Sequence, residues 1–373
     1  MADRLEEILR QSLQVQEQAH RDFVKQHGLV QPDSKPHSED NMVDPPSKVS
    51  DGLTMTVIGC GTMGIAILGG IMDSLSNRHV QDHISLQKAS AKSGTSTPAE
   101  AEEPPKLPTK FNACVRRHES ARRIKKELAK YNANLTIYEN ENLKPVQEAD
   151  LILLSCKPQM CSDILNAEGM KAAVKGKLIM SICAGVTEAQ LHNILYESET
   201  TPPECTIVRT MPNTAAAVRE SMTVIGVNPK APLDHATHTL VTWIFTRIGR
   251  VVHLPPSNMD ASTALCGSGP AFVALMCESL AAGGVAMGLP REEAYQMAAQ
   301  MMRGTTGLML EQGEHPAILR DKVSTPGGCT IGGLLVLEEG GVRGAVARAV
   351  REATVVASQL GQGKTGVNGT WGR

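Results

Sequence analysis

A glycine-rich turn near residue 60 is the segment whose residue types and spacing point most directly to chemistry. Gly59, Gly61 and Gly64 have the spacing G-x-G-x-x-G and stand between the apolar segments 53–58 and 65–68. This order predicts a strand, a tight turn and a helix. The glycines allow the backbone to approach a pyrophosphate, and the first N–H groups of the helix bind it without a charged side chain. The turn therefore predicts a dinucleotide-binding site.

Two arginines bear on which dinucleotide binds. Arg116 and Arg117 follow the predicted second strand, residues 111–115. An acidic residue at this strand end binds the ribose 2′-hydroxyl of NAD, whereas an arginine accommodates a 2′-phosphate. The alternative is the solvated start of a basic helix, because Arg122 and Arg123 follow closely. Since arginine matches the geometry of phosphate, we predict NADPH, with NADH possible.

Two further loops in the second half of the chain combine glycines with small hydroxyl residues. Residues 266–270, which include Ser268, and residues 323–330 each lead into a predicted helix. Free N–H groups at such a helix start bind a phosphate or a small carboxylate. Ordinary helix capping remains an alternative for residues 266–270. A cap does not need the long run of small residues at 323–330, and glycine has a high entropic cost on folding, so we predict a carboxylate site there.

Alternating apolar and helical segments predict how the first half of the chain positions the glycine turn. Several apolar runs read as parallel strands covered on both faces, and they alternate with helical segments such as 119–130 and 187–196. This alternation predicts an α/β Rossmann fold with a doubly wound, mostly parallel sheet. Ligands of such sheets bind at the carboxyl ends of the strands. The segments 155–158 and 183–185 should therefore lie beside the glycine turn.

Two polar residues stand at further strand ends. Lys157 is either a proton donor or a cation beside the phosphates, and Pro158 indicates a rigid turn, which favours positioning over chemistry. Asn213 belongs to residues 206–214, which we predict to form an edge strand that breaks into a turn. Its side chain offers both a donor and an acceptor.

From Asp260 onward the sequence predicts only helices, at 270–288, 291–312, 316–322, 331–339 and 342–360. The helix at 270–288 is apolar on nearly every side except at Glu278, so it has to be covered. A second subunit often provides such cover, and we predict an obligate dimer formed through an all-α C-terminal domain.

Bulk composition restricts the function. The 373 residues suit two domains, and a net charge of −2 with 3% aromatic residues excludes a nucleic-acid surface. No run of about eighteen apolar residues occurs, so we expect no membrane span. The acidic N-terminus resembles no targeting signal, and nine cysteines without paired spacing suggest reduced thiols, no metal site and a cytoplasmic protein.

Composition also predicts the domain boundaries. We assign an N-terminal extension and linker to 1–52, and a dinucleotide-binding Rossmann domain to 53–254 with a disordered insertion at 77–110. A helical substrate-binding and dimerisation domain follows at 255–361. A flexible glycine-rich tail occupies 362–373.

Taken together, these motifs resemble those of the pyrroline-5-carboxylate reductases. The matching segments, in the order of the family, are Ile58–Met63, Cys156–Gln159, Ser181–Val186, Arg209–Thr214, Gly267–Ala271 and Ser324–Ile331. They extend over residues 53–360, and the last of them is specific to this family. The resemblance implies reduction of 1-pyrroline-5-carboxylate to L-proline by NADPH or NADH, the last step of proline biosynthesis. It also implies a homodimer or higher oligomer whose helical domains interlock.

The resemblance further implies a set of site residues. The dinucleotide would contact Ile58, Gly59, Cys60, Gly61, Thr62, Met63, Arg116, Arg117, Asn142, Ser155, Cys156, Lys157, Pro158, Ile182, Cys183 and Ala184. The substrate would contact Val323, Ser324, Gly327, Gly328, Cys329 and Thr330, together with Asn213 and Ser268. The Thr330 hydroxyl would reach the ring nitrogen and is the predicted catalytic group.

Hydride transfer to a protonated cyclic imine asks the protein mainly for positioning and for carboxylate recognition. No histidine, glutamate or cysteine is required as a general acid, and His315, which precedes Pro316, is expected to cap a turn. Another imine reductase or a β-hydroxyacid dehydrogenase is the alternative among enzymes. A hydroxyacid dehydrogenase commonly needs a lysine base, and residues 270–312 contain none. A non-catalytic NADPH-binding regulator is the alternative outside enzymes.

Overall fold

A computed structural model of the chain describes residues 52–85, 103–131, 134–196, 204–364 and 366–367. The predicted N-terminal extension up to residue 51, the centre of the predicted insertion at 86–102, and most of the predicted tail lie outside these described residues.

One eight-stranded sheet forms the first half of the described chain, in the order β3-β2-β1-β4-β5-β6-β7-β8. All neighbouring strands are parallel except the antiparallel pair β6 and β7. The doubly wound, mostly parallel sheet predicted from the sequence is therefore confirmed. The strands are β1 Leu53–Ile58, β2 Pro108–Val115, β3 Asn134–Glu139, β4 Leu151–Leu154, β5 Leu178–Ser181, β6 Thr206–Met211, β7 Ser221–Gly226 and β8 Gly249–Leu254.

Helices cover the sheet and form the rest of the chain. After β8, the described residues contain only helices and turns, as predicted. The helices are α1 Thr62–Ser85, α2 His118–Leu128, α3 Leu143–Gln147, α4 Cys161–Leu165, α5 Met170–Ala173, α6 Glu188–Tyr196, α7 His235–Thr246, α8 Met259–Ser262, α9 Gly269–Ala286, α10 Arg291–Glu311, α11 Pro316–Val323, α12 Cys329–Glu339 and α13 Val342–Gly361.

The core lies on both faces of the sheet, and β4 shows why its sequence is apolar throughout. Leu151 and Leu153 belong to one buried cluster, which contains Trp243 of α7. Ile152 and Leu154 belong to a second cluster, which contains Leu191 of α6. Successive side chains of a strand point to opposite faces, so a strand covered on both sides has no polar position.

Two expectations are corrected. The predicted insertion at 77–110 is shorter at both ends, because α1 continues to Ser85 and β2 begins at Pro108. Residues 77–85 contain no glycine or proline that would end the helix. In addition, β6 is not an edge strand, since it pairs with both β5 and β7. Pro212 follows its last paired residue, Met211, and so removes no ladder hydrogen bond.

The helical half exposes much apolar surface in the single chain. Helices α9 and α10 pack through small residues, and Ala281, Ala294 and Ala298 are buried between them. Other apolar side chains of α9 and α12 are at least half exposed, such as Leu275 and Val336. The helical stretch Pro256–Ala286 is 31 residues long and, by length and composition alone, apolar enough to cross a membrane, and little of it is buried in the single chain. The sequence did not predict a stretch of this length, because short helical turns before α9 join that helix into one longer apolar segment.

Candidate functional site

The three glycines of the turn between β1 and α1 have three different structural requirements. Gly59 has φ +76°, and a Cβ there would lie 2.6 Å from Cα of Cys156. A Cβ at Gly64 would lie 3.0 Å from Cγ1 of Val57, so this glycine allows α1 to pack on β1. A Cβ at Gly61 would have no neighbour nearer than the Gly59 oxygen at 3.9 Å. Gly61 thus borders open space. A phosphate that approaches the backbone at this point needs such space.

The start of α1 is suited to an anion. Gly59 N and Cys60 N both donate to Cys114 O, which fixes the turn against the end of β2. Helix α1 then begins at Thr62, and its first turn carries no acidic residue. The first N–H groups of a helix have no partner within the helix and carry its positive dipole end. A pyrophosphate therefore fits the turn 59–63.

Basic side chains surround the end of β2. Arg116 and Arg117 are exposed, and Arg117 occupies the position immediately before α2. One turn further along α2, Nη1 of Arg123 donates to Oγ1 of Thr62 at 3.1 Å, and its Nε donates to Glu127 at 2.6 Å. Arg123 was not predicted as a site residue. Its sequence signal was the basic character of α2, which alone does not tell which side chain faces the turn.

The ends of β4 and β5 lie beside the glycine turn. Ser155 donates through its N to Ile58 O at 2.9 Å and through its Oγ to Gly59 O at 3.0 Å. Lys157 is exposed and Asn142, at the start of α3, is partly buried. Cys156 and Cys183 are buried, so these two residues can offer a ligand their backbone rather than their thiols. Ala184 is exposed beyond β5.

A cavity of about 790 Å³ adjoins these loops. It is lined by Pro158, Cys161, Ala184 and Leu360, among others, and so lies between the strand ends and the last turn of α13. Nε2 of Gln190 in α6 donates to Gly361 O at 2.6 Å and fixes that turn. The predicted dinucleotide residues Pro158 and Ala184 therefore face a space large enough for a ring system.

The two predicted loops of the helical half both precede helices. Gly328 stands before α12, so Cys329 and Thr330 contribute the first amides of that helix. Gly327 has φ +69°. The first turn of α12 carries no acidic residue, and Thr330 is partly buried. The loop from Val323 to Thr330 therefore presents backbone donors at a helix start, which suits a small carboxylate.

Ser268 and Asn213 occupy different local environments. Ser268 stands between a π-helical turn, Thr263–Gly267, and α9, and its side chain makes no capping hydrogen bond. π-turns are frequent at functional sites. Oδ1 of Asn213 accepts from Ala215 N at 3.0 Å, so this side chain caps the turn Thr214–Val218 and keeps its NH₂ group for other contacts.

A buried charged group that was not predicted connects the sheet with the helical half. The side chain of Arg209, on β6, is 6% exposed, and its Nη2 lies 3.6 Å from Oδ1 of Asp260 in α8. Oε1 of Glu188 accepts from Arg209 N at 3.3 Å. Burial lowers the pKa of Arg209 and raises the pKa of Glu188. Arg209 begins the motif segment Arg209–Thr214, but the residues of that segment do not indicate that Asp260 and Glu188 contact Arg209.

His315 was expected to cap a turn, and it does. Its Nδ1 accepts from Ala317 N at 3.3 Å at the start of α11. This capping hydrogen bond explains the position of the imidazole. It gives no reason to assign proton transfer to His315.

Two family models match the chain. The model described as pyrroline-5-carboxylate reductase dimerisation matches residues 256–360. The model described as NADP oxidoreductase, coenzyme F420-dependent, matches residues 54–185. The first match covers α8 to α13, and the second covers the glycine turn and the strand ends from β1 to β5.

Several relatives match along nearly their whole length. A pyrroline-5-carboxylate reductase of Lophium arboricola is 57% identical over 87% of this chain and 98% of its own length. One of Neurospora crassa is 53% identical over 88% of this chain and 99% of its own. Among solved structures, the Coxiella burnetii pyrroline-5-carboxylate reductase has a TM-score of 0.64 at 24% identity, covering 83% of this chain and 99% of that one. That of Plasmodium falciparum, solved with NADP bound, has a TM-score of 0.62 at 24% identity, covering 83% and 98%.

Proposed function

This chain belongs to the pyrroline-5-carboxylate reductase family, and from that membership we propose that it reduces the C=N bond of 1-pyrroline-5-carboxylate to give L-proline. It is then an NAD(P)H-dependent oxidoreductase of proline biosynthesis. The open space beside Gly61, at the start of a helix without acidic residues in its first turn, is the observation that carries the proposal. A pyridine dinucleotide bound there supplies the hydride.

The cofactor-binding residues that we propose surround the glycine turn. The amides of residues 59–63 hold the pyrophosphate, and Arg116 with Arg117 binds a ribose 2′-phosphate. NADPH is therefore the expected cofactor, with NADH possible. Residues 155–158 and 182–184 position the nicotinamide at the ends of β4 and β5, and Asn142 contacts the adenosine side. Arg123 joins this set, because its guanidinium already contacts Thr62.

The substrate-binding residues that we propose belong to the helical half. The amides at the start of α12 bind the substrate carboxylate, and the loop Val323–Gly328 shapes the pocket. The Thr330 hydroxyl orients the ring nitrogen. Asn213 and Ser268 contribute polar contacts from the sheet end and from the start of α9. This arrangement relies on backbone donors and positions the imine without a dedicated general acid.

A homodimer follows from the exposed surface of the helical half. Val273, Leu275, Leu335 and Leu337 are each at least 50% exposed in the single chain. We infer that a second subunit, rather than lipid, covers α9 and α12, and that the enzyme is cytoplasmic. The loop before α12 is also largely exposed, so we infer that it works against the dinucleotide domain of the second subunit. The proposed domains remain 53–254 for dinucleotide binding and 255–361 for substrate binding and dimerisation.

Purified protein, pyrroline-5-carboxylate and NADPH provide the test. We expect loss of NADPH absorbance with equimolar formation of proline. A β-hydroxyacid dehydrogenase would instead oxidise hydroxyacids, and a regulator would bind NADPH without turnover. NADPH binding in the absence of any proline formation would refute the proposed reaction.

A further inference from the structure

Three cysteine thiols meet directly beneath the loops after β4 and β5. Cys156 lies in the first of these loops, Cys161 begins α4, and Cys183 follows β5. Their three sulfur atoms all lie within 4.8 Å of one another. The residues are 9%, 1% and 2% exposed, respectively. Three chain segments therefore contribute one sulfur each to a single enclosed point.

The cysteines of the cluster already form hydrogen bonds with one another. Sγ of Cys156 lies 3.7 Å from Sγ of Cys161, and Sγ of Cys183 donates to Cys156 O at 3.4 Å. The hydrogen bond from Cys156, followed by that from Cys183, lowers the pKa of Cys161. The same bond to Cys161 raises the pKa of Cys156. The three sulfur atoms therefore interact directly with one another and with the backbone of their own loops.

The sulfur geometry fits a soft cation. A metal–sulfur bond of about 2.3 Å in tetrahedral coordination separates two sulfur ligands by about 3.8 Å. The Cys156–Cys161 distance of 3.7 Å matches this separation, and the other two sulfur pairs lie within 4.8 Å. Thiolates select metals such as zinc and cadmium over hard cations such as magnesium. We propose that Cys156, Cys161 and Cys183 form a three-sulfur binding site for a soft divalent cation.

The surroundings provide both an entrance and a fourth ligand position. Cys161 lines the 790 Å³ cavity next to the strand ends, together with Ser162 and Gln159. In the proposed site a cation would enter from this side, and a water molecule from the cavity would take the fourth ligand position. Binding converts the thiols to thiolates and releases their protons to the solvent. The resulting site carries a net charge of −1.

Such a site would join the two loops that we propose to hold the nicotinamide. The relevance of its position therefore rests on the proposed function, whereas cation binding by the three sulfur atoms does not. No sequence spacing indicated it, because Cys183 stands far from Cys156 and Cys161 in the chain and the sheet brings them together. The separation of β4 and β5, which are hydrogen-bonded neighbours, sets the distance between their two loops.

Cadmium titration of the reduced, metal-free full chain tests the site without reference to turnover. We expect one ion per chain, a thiolate-to-cadmium charge-transfer band in the ultraviolet, and a release of protons as the thiols become thiolates. Cys161→Ser should weaken cadmium binding at least about tenfold and reduce the band. Cys205→Ser is the matched control, since its thiol is also buried but bonds to the hydroxyl of Tyr196 instead of the cluster.

Two results would overturn the site. One is the absence of a stoichiometric band in the parent protein, and the other is a Cys161→Ser titration that coincides with the parent's. Melting curves recorded without metal show whether each variant is folded, and Cys183→Ser provides a second test at a different segment. Proline formation is measured separately, so failure of the metal site leaves the proposed reaction unaffected.

Discussion

Glycine and arginine carry most of the site's information at the scale of single residues. The spacing of Gly59, Gly61 and Gly64 could be read from the sequence because each requirement there is local: a positive φ, a close approach, or open space. The Arg123–Thr62 and Arg209–Asp260 contacts could not, because each joins residues that are distant in the chain. The sequence therefore predicts backbone-built sites better than those built from side chains across elements.

Gly61→Ala tests whether the glycine turn binds the dinucleotide. The new methyl group meets no neighbour in the fold, but it occupies the space that the pyrophosphate needs. We expect the Kd for NADPH, measured by nicotinamide fluorescence, to rise about tenfold, which is ~1.4 kcal/mol, at an unchanged melting temperature. Gly64→Ala is the contrasting control, because its methyl group approaches Val57 and should lower the melting temperature instead. Unchanged NADPH affinity in Gly61→Ala would contradict binding of the pyrophosphate by the glycine turn.

Arg116→Ala and Arg117→Ala test recognition of the 2′-phosphate. Each substitution removes an exposed guanidinium at the end of β2. We expect kcat/KM for NADPH to fall about tenfold, because a charge-assisted hydrogen bond to phosphate is lost. The value for NADH should stay the same. Lys126→Ala, which removes an exposed charge from α2, is the control, and equal losses with both cofactors would disprove the assignment.

Thr330→Ala tests the proposed catalytic hydroxyl. Loss of one oriented hydrogen bond should lower kcat about tenfold, while the Kd for NADPH stays unchanged. Thr330→Ser retains the hydroxyl and should restore most of the rate. Turnover of the alanine variant equal to that of the parent would show that the hydroxyl has no such role.

At the scale of elements, the sequence predicted most helices and strands to within a few residues. The apolar runs of β4 and β5 and the helical periodicity of α10 and α13 are strong local signals. The exceptions have tertiary causes. The position of β6 inside the sheet depends on its pairing with β7, and the joining of short turns into the stretch 256–286 depends on a π-turn that no local pattern indicates.

The contact between α7 and β8 predicts a pH dependence of stability. His253 of β8 stacks on His238 of α7 at 4.4 Å and pairs with Oγ1 of Thr242 at 3.0 Å. Burial, and then the neighbouring His238, lowers the pKa of His253 below its ordinary value of 6.5. The unfolded chain therefore binds this proton more readily. The contribution of neutral His253 to the free energy of unfolding is therefore complete above pH 6.5, and it is lost as the pH falls through the folded-state pKa.

His253→Gln should reduce this loss. We expect the melting temperature of the parent to fall on going from about pH 8 to about pH 5, and to fall less in the variant. His315→Gln alters an exposed capping residue and should behave like the parent in this comparison. An identical pH dependence in His253→Gln and the parent would show that other groups determine it.

At the scale of the whole molecule, the second half of the chain leaves apolar surface uncovered. Helix α12 packs on α13 yet leaves Leu335, Val336 and Leu337 at least half exposed. Covering such a surface in a second subunit removes apolar area from water and closes the oligomer by symmetry. The sequence predicted uncovered apolar surface from a helix that is apolar on nearly all sides, but it could not show which loops would face a second subunit.

A complementation experiment tests whether the two subunits share each site. Gly61→Val blocks the dinucleotide turn, and Thr330→Ala leaves the helical loop with about a tenth of its activity. If each site combines the turn of one subunit with the loop of the other, a mixed dimer contains one site in which both parts are intact. Co-expression in equal amounts, with half of the dimers mixed, should then give about a quarter of the parent's proline formation. If both parts of a site belong to the same chain, every site in a mixed dimer carries one defect, and the activity cannot exceed the mean of the two separate variants.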